Sequence, residues 1–153
     1  MISDANVNLR GYARIAIATP FIYSVFIPLA LLDVTMELYH HIAFPLYGIP
    51  RLNRKEYIVF DRHKLAYLSY SEKVNCVYCA YANGLLAYAK AVAAETEKMW
   101  CPVKHKWHPN YRVPEHHASF ANYNDEELLR EYLEKRTTAI EPEYLPQPEK
   151  ELT

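Results

Sequence analysis

Three cysteines and a nearby histidine are the side chains of this sequence best suited to metal chemistry. They form two short pairs, Cys76-x-x-Cys79 and Cys101-x-x-x-His105. Thiolates and imidazole nitrogens bind zinc in tetrahedral sites, and thiolates also hold iron–sulfur clusters. The four residues therefore predict a site for zinc or iron, the iron either as a single ion or as an iron–sulfur cluster.

The spacing between the two pairs limits how they can combine. If residues 80–99 form one straight helix, Cys79 and Cys101 lie ~30 Å apart at 1.5 Å of rise per residue. Thiolates that share one zinc ion each lie ~2.3 Å from it. A shared site therefore requires the chain to double back near Asn83-Gly84; otherwise the two pairs belong to different places.

Other interpretations of the cysteines stay open at this point. Cys76 and Cys79 at i and i+3 would share a helix face, where they can bind a metal with His63 or Asp61, or act as a redox dithiol. Alternatively, all three cysteines are structural thiols, since free cysteine is among the most buried residue types. Several histidines that follow Cys101 favour the metal interpretation: His105, His108, His116 and His117.

The elements that must position these residues begin with an apolar stretch near the N-terminus. Eighteen consecutive uncharged residues, 15–32, lie between Arg14 and Asp33, and about 20 apolar residues cross a ~30 Å hydrocarbon core. Because basic residues flank both ends of the apolar region, a hairpin or interfacial dip is favoured over a single span. A buried helix of a soluble domain is the remaining alternative. The side chains expected to contact lipid are Phe21, Ile22, Phe26, Ile27 and Leu31.

Beyond this region the periodicity predicts further helices. Apolar residues recur at helical spacing from a start at Ser71-Glu72 to a stop at Trp100-Cys101-Pro102, because the residue before proline avoids the α region. Asn83-Gly84 interrupts the pattern, either as a break or as a place where another helix packs closely. Another helix begins at Asn124 or Asp125. Residues 57–60 form a short β-prone run, and residues 111–123 predict a loop.

The predicted fold is mainly α: a helical single domain with an N-terminal membrane-associated apolar helix or hairpin and an acidic C-terminal tail. We expect residues 1–50 to form the membrane-associated region and residues 51–136 a cytoplasmic helical domain with the Cys/His cluster. Residues 137–153, rich in proline and acidic side chains, predict a loose tail. Three glycines are few for an all-β protein, whose tight turns need positive φ.

Charge and motif content exclude several classes of function. Residues 51–112 carry a net charge of +6, from eleven basic and five acidic residues, and residues 124–153 carry −5, from four basic and nine acidic residues. The basic middle is compatible with anionic lipid, and no nucleic-acid-binding motif accompanies it. There is no glycine-rich phosphate loop and no nucleophile elbow, so nucleotide binding and a serine hydrolase are unsupported. We expect neither a nucleic acid nor a nucleotide as a partner.

The cysteine content and the N-terminus together predict the compartment. An odd number of cysteines is unusual for a secreted disulfide scaffold. Fourteen residues precede the apolar run, two prolines interrupt it and no small-x-small cleavage site follows it, a pattern atypical of a signal peptide. We therefore expect reduced thiols and a location at the cytoplasmic face of the cytoplasmic membrane of a bacterium.

Several motifs resemble a family of small proteobacterial proteins for which no activity is assigned. The resemblance covers about residues 15–125 and implies a bacterial origin without implying a reaction. Its motifs in this sequence are Pro20-Phe21-Ile22-Tyr23-Ser24, Pro28-Leu29, Tyr47-Gly48-Ile49-Pro50-Arg51, Phe60-Asp61-Arg62-His63, Asn75-Cys76-Val77-Tyr78-Cys79, Ala82-Asn83-Gly84-Leu85, Trp100-Cys101-Pro102 and Lys104-His105.

Three hypotheses about function follow from these residues. The leading one is a metal-binding protein at the membrane, an accessory or electron-handling subunit of a larger complex with lipid and protein partners. The second is a membrane metalloenzyme or thiol oxidoreductase with Asp61, His63, Glu97 and His105 as ligands or acid–base groups. The third is a structural or interaction protein that binds no metal.

Overall fold

The computed structural model describes residues 9–140, and it confirms a mainly α protein. The described residues contain no strand, only an isolated bridge between Val103 and Ala121. Of the predicted tail, residues 137–140 belong to a helix, and residues 141–153 lie outside the described residues. The α-helices are α1 (Leu9–Ser24), α2 (Phe26–Leu46), α3 (Tyr70–Trp100) and α4 (Glu126–Ile140), and short 3-10 helices cover Arg54–Glu56, Arg62–Lys64 and Glu115–Ser119.

The apolar N-terminal region forms one long, nearly continuous helix instead of the favoured hairpin. α1 and α2 are separated by Val25 alone, and the Leu29 amide donates to the Val25 carbonyl across the junction at 3.1 Å. Pro28 lacks the amide hydrogen that would bond to the Ser24 carbonyl, which accounts for a break at this point. Pro20 lies inside α1.

Contacts divide the described chain into two compact units. The first unit contains the residues up to Leu38 together with Arg54–Ala87. The second unit contains Tyr39–Asn53 and the residues from Tyr88 onward. The domain boundaries expected from the sequence, after residues 50 and 136, stay a prediction.

In the first unit, the segment at residues 57–58 lies directly against α3. A Cβ atom on Gly84 would stand 2.5 Å from the Tyr57 carbonyl oxygen and 2.9 Å from the Ile58 Cα. Of the two alternatives for Asn83-Gly84, a break or a place of close packing, the structure has close packing. The element that packs against Gly84 is the backbone segment at residues 57–58 and not a helix. The β-prone residues 57–60 form no strand, because no described strand is available for pairing.

The start of α3 lies slightly earlier than expected. The Ser69 amide and hydroxyl donate to Glu72 Oε2 at 2.8 and 2.7 Å, and the Glu72 amide donates back to Ser69 Oγ at 3.4 Å. This reciprocal arrangement is a capping box. Ser69 is thus the N-cap, and the expected start at Ser71 was wrong by two residues.

The second unit has a core of Phe44, Tyr88, Val92, Phe120 and Ala121, all buried. His40 is also buried, and both of its ring nitrogens have partners in this unit. Its Nε2 accepts from the Leu52 amide at 2.9 Å, so Nδ1 carries the proton and donates to the Tyr88 hydroxyl at 3.0 Å.

α4 is held in the second unit by polar contacts at both of its ends. Asp125 Oδ1 accepts from the Leu128 amide at 3.1 Å, which confirms Asp125 as one of the two expected N-caps. Near the other end, Arg136 donates to the Met99 carbonyl at 3.0 Å, and its guanidinium lies 5.5 Å from the ring centroid of Trp100. The Tyr132 hydroxyl donates to the Ser119 carbonyl.

Candidate metal centre

In the second unit, one carboxylate contacts the side chains of two consecutive histidines. Glu97 projects from the last turns of α3, and His116 and His117 belong to the 3-10 helix Glu115–Ser119. His116 Nε2 lies 2.8 Å from Glu97 Oε2, and His117 Nε2 lies 3.1 Å from Glu97 Oε1. Each carboxylate oxygen therefore meets a separate imidazole.

The backbone around the two histidines explains why neighbouring side chains reach the same carboxylate. The His117 amide donates to the Pro114 carbonyl at 3.1 Å, and the Phe120 amide donates to the His117 carbonyl at 3.1 Å. This tight turn directs the two rings 4.6 Å apart and nearly perpendicular, at 89°. Phe120 stacks on His117 at 4.7 Å and fixes its ring plane.

The chain that follows the 3-10 helix is tied back to the end of α3. The Ala121 amide donates to the Pro102 carbonyl at 2.8 Å, and the Lys104 amide donates to the Ala121 carbonyl at the same distance. Glu97 and the histidines therefore sit on segments that are hydrogen-bonded to each other within a few residues of the site. Such support holds ligand groups in place before a metal arrives.

The electrostatics of Glu97 favour its charged form. Burial acts to raise the pKa of Glu97, but hydrogen bonds from His116 and His117 and their charges outweigh it, so the pKa lies below its ordinary value. Glu97 is thus an anion at neutral pH. For both histidines to donate to it, each must carry a proton on Nε2.

The dimensions of this group fit a single metal ion. The three potential ligand atoms lie within 4.8 Å of one another. Two ligands bound at ~2.1 Å with tetrahedral angles lie about 3.4 Å apart, which falls between the 2.8 Å of the His116–Glu97 contact and the 4.8 Å limit of the group. Two imidazoles and one carboxylate form a donor set used for zinc with one open coordination position, and for non-haem iron.

His117 has a further polar atom that the described protein groups do not satisfy. The side chain is 1% exposed, and its Nδ1 is buried without a hydrogen-bond partner among the described residues. A metal bound at Nε2 places the proton on Nδ1, and a metal-bound histidine ordinarily donates that proton to a nearby acceptor.

The predicted cysteine ligands do not take part in such a group. None of the three cysteines belongs to any set of three close His, Cys, Asp or Glu ligands within residues 9–140. α3 continues without a break through Asn83-Gly84, so the chain reversal required for a site shared by Cys79 and Cys101 does not occur. Cys79 and Cys101 are exposed and Cys76 is half-buried, which also contradicts the interpretation as buried core thiols.

The other predicted ligands lie in two different places. Asp61 and His63 belong to the first unit, at and within the 3-10 helix Arg62–Lys64, and Asp61 makes no side-chain cap there. His63 Nδ1 is buried without a hydrogen-bond partner among the described residues. His105 belongs to the second unit, where its ring lies 5.8 Å from that of His117.

The predicted lipid-contacting side chains are all exposed. Phe21, Ile22, Phe26, Ile27 and Leu31 have between 48% and 74% of their surface accessible. By length and composition, Ala13–Leu46 is the one described helix apolar enough to cross a membrane, and 6% of its most apolar window is buried. Length and composition of this kind are shared by membrane-spanning helices, signal sequences and core helices of soluble proteins.

The acidic side chains of the first part of α2 are neutralised within the first unit. Arg54 donates to Asp33 Oδ2 at 2.8 Å and to Glu37 Oε1 at 3.1 Å. The Tyr81 hydroxyl donates to the same Asp33 oxygen at 2.9 Å. These groups face other protein groups, whereas Ile27, Leu31 and Val34 of α2 are exposed.

The sequence contained two of the signals for this centre but did not combine them. Glu97 was a candidate acid–base group or ligand, and the doublet His116-His117 favoured a metal in general terms. Glu97 lies 19 residues before His116, and no spacing rule joins a glutamate at a helix end to histidines in a distant loop. Only the return of the chain to the end of α3 brings them together.

No protein-family model, curated protein or solved structure matches this chain.

Proposed function

We propose that this protein binds one transition-metal ion through Glu97, His116 and His117 and works at a membrane surface. The observation that carries the metal assignment is the contact of two imidazole nitrogens with one carboxylate. The Nε2 atoms of His116 and His117 lie 2.8 and 3.1 Å from the oxygens of Glu97. Glu97 supplies one negative charge and the neutral imidazoles supply none. With a divalent ion bound, the ion and its three ligands would together carry a net charge of +1.

Zinc and iron are the metals that fit this donor set. Zinc accepts two histidines and a carboxylate in sites with an open fourth position, and non-haem iron(II) accepts the same three groups. An iron–sulfur cluster would need thiolates, which are not among the three ligands proposed. The proposal is therefore restricted to a mononuclear site.

The number of protein ligands distinguishes a structural metal site from a catalytic one. A structural zinc site has four protein ligands, whereas three protein ligands leave room for a water or a substrate. The proposed set of three favours a metalloenzyme over a purely structural site. The remaining alternative is that the His–Glu–His contacts only tie the 3-10 helix to α3 and that no metal binds.

Metal content and cobalt substitution test this assignment. We expect about one zinc or iron ion per chain in anaerobically purified protein, and tetrahedral d–d bands after cobalt replacement. Glu97→Gln should lower metal content severalfold, because it removes the anionic ligand. The matched control is Glu95→Gln on the same helix, where Glu95 pairs with Lys98 and not with the histidines.

Cysteine variants distinguish this site from one built on thiols. If the proposal is correct, Cys76→Ser and Cys101→Ser retain full metal content. Loss of the metal in either cysteine variant, together with its retention in Glu97→Gln, would show that thiolates are the ligands. Absence of metal from wild-type protein that also fails to bind added cobalt would leave the purely structural alternative.

The membrane assignment rests on the exposed apolar surface of α1 and α2. Exposed apolar side chains continue past Leu31 at Val34, Leu38 and Ile42, with 54% to 68% of their surface accessible. Contiguous apolar surface of this kind marks a membrane or protein contact. Arg14 precedes it and Arg51 follows it, as expected for a cytoplasmic face with anionic lipid.

Fractionation and labelling test the location. We expect the protein in the membrane fraction, and we expect Ile27→Asp with Leu31→Asp to release it, whereas Tyr67→Asp, an exposed aromatic outside the helix, should not. Because Cys79 and Cys101 are exposed, a membrane-impermeant maleimide reports the side directly. Cytoplasmic location predicts labelling after lysis of bacterial cells and none before it.

A further inference from the structure

A cavity of about 360 Å³ lies in the second unit, and His117 belongs to its wall. Its volume falls within the ~300–1,000 Å³ range of sites for small organic ligands. Three aromatic side chains, Trp107, Tyr111 and Tyr123, line it together with a polar group of Lys104, His105 and Asn122. The cavity thus combines flat apolar walls with a few polar contacts.

The described side chains that line the cavity carry a net positive charge. Lys104 is a cation at neutral pH, and no acidic side chain is among the described residues that line the cavity. Lys104 Nζ donates to Asn122 Oδ1 at 3.0 Å, which fixes the position of the ammonium group. An ammonium has three donor hydrogens, so this bond leaves donor capacity for an anionic ligand.

The imidazoles extend the polar side of the cavity. The His105 ring lies 5.2 Å from the Tyr111 ring in an edge-to-face arrangement and 5.8 Å from the His117 ring. His117 is buried, and its Nδ1 has no hydrogen-bond partner among residues 9–140. A buried polar atom without a protein partner is completed by a water molecule or by a polar ligand group.

We propose that this cavity binds a small aromatic carboxylate. The ring would pack between the aromatic side chains, and the carboxylate would accept hydrogen bonds from Lys104 and His105. An ammonium favours a carboxylate over a neutral group by a charge-assisted hydrogen bond. The assignment depends on the cavity and its cation and not on the metal, although the shared residue His117 places the ligand beside the proposed centre.

Tryptophan fluorescence with benzoate as the probe tests this assignment. The sequence has two tryptophans, so Trp100→Phe leaves Trp107, at the cavity, as the only one. We expect a saturable change in its fluorescence with benzoate. Benzamide, which has the same ring without the charge, should bind about tenfold more weakly or worse.

Two lysine variants locate the anion. Lys104→Gln keeps a donor for Asn122 but removes the charge, and it should weaken benzoate binding about tenfold. Lys106→Gln is the matched control, because Lys106 is exposed and does not line the cavity. Circular dichroism of both variants checks that they are folded.

The titrations are made with metal-free protein and with protein loaded with zinc. Binding in both forms supports the assignment, even if the metal proposal fails. The assignment is overturned by equal affinity for benzoate and benzamide, by equal effects of the two lysine variants, or by no saturable change up to about 10 mM benzoate. Binding that requires zinc would also overturn it, since the carboxylate would then be a metal ligand.

Discussion

Gly84→Ala measures how closely residues 57–58 approach α3. In the structure, the new Cβ would stand 2.5 Å from the Tyr57 carbonyl oxygen and 2.9 Å from the Ile58 Cα, and ordinary contacts begin at 3.4 Å. Both neighbours are backbone atoms, so no side-chain rotation relieves the overlap. The segment has to move away from the helix by about 0.9 Å, the difference between 3.4 and 2.5 Å.

Two opposing terms decide the net effect. Alanine is favoured over glycine inside a helix by ~1 kcal/mol, whereas inserting a methyl group into a packed contact costs ~1–3 kcal/mol. Since the overlap is with backbone, we expect a cost near the upper end, and a net loss of about 2 kcal/mol in the free energy of unfolding. For a chain of this length that corresponds to a decrease in Tm of roughly 4–8 °C.

Thermal unfolding followed by circular dichroism is the assay, with detergent or lipid conditions held constant. Lys90→Ala on the same helix is the control, since Lys90 is exposed and its replacement should change stability by less than ~0.5 kcal/mol. A Gly84→Ala variant as stable as wild type, or more stable, would refute the reasoning. It would mean that helix propensity is the only effect and that residues 57–58 do not pack on α3.

Three further predictions concern stability. Ser69→Ala removes the capping box of α3 and should lower the free energy of unfolding by ~1 kcal/mol, measured by denaturant unfolding. His40→Phe leaves the partly buried Leu52 amide without its His40 acceptor and should cost ~1 kcal/mol or more in the same assay; an unchanged midpoint would contradict the hydrogen bond. The pKa of Glu97 is lower in the folded protein than its ordinary value near 4.5, so its stabilising contribution is present above that value and is lost as the pH falls through the folded pKa. We therefore expect Glu97→Gln to flatten the acid limb of the stability profile of metal-free protein, and an acid limb identical to wild type would show that the His–Glu contacts carry no stability.

The long, nearly continuous helix bears on the membrane interaction that we propose. Residues 15–46 would extend about 48 Å at 1.5 Å per residue, longer than a ~30 Å hydrocarbon core. Exposed apolar side chains run along this whole length, while Asp33 and Glu37 are paired with Arg54 on the protein side. A helix that is apolar on one side and packed on the other is suited to lie along the membrane interface over part of its length.

Local patterns in the sequence determined the helices and their ends. The stop of α3 before Pro102, the N-cap at Asp125 and the apolar run after Arg14 are all encoded within a few neighbouring residues. Interactions of this range do not depend on the rest of the fold, because caps, proline and periodicity act within one or two turns. The mainly α class and the apolar N-terminal helix could therefore be predicted directly.

Tertiary structure decided which chemical groups meet. The cysteine pairs had the more recognisable spacing, yet α3 continues through Asn83-Gly84 without the reversal that a shared site requires. Glu97 met His116 and His117 instead, because the chain after Cys101 folds back and bonds to the end of α3 through Ala121 and Pro102. Such contacts depend on the path of a whole loop, which is set by many weak long-range interactions and leaves no short spacing pattern in the sequence.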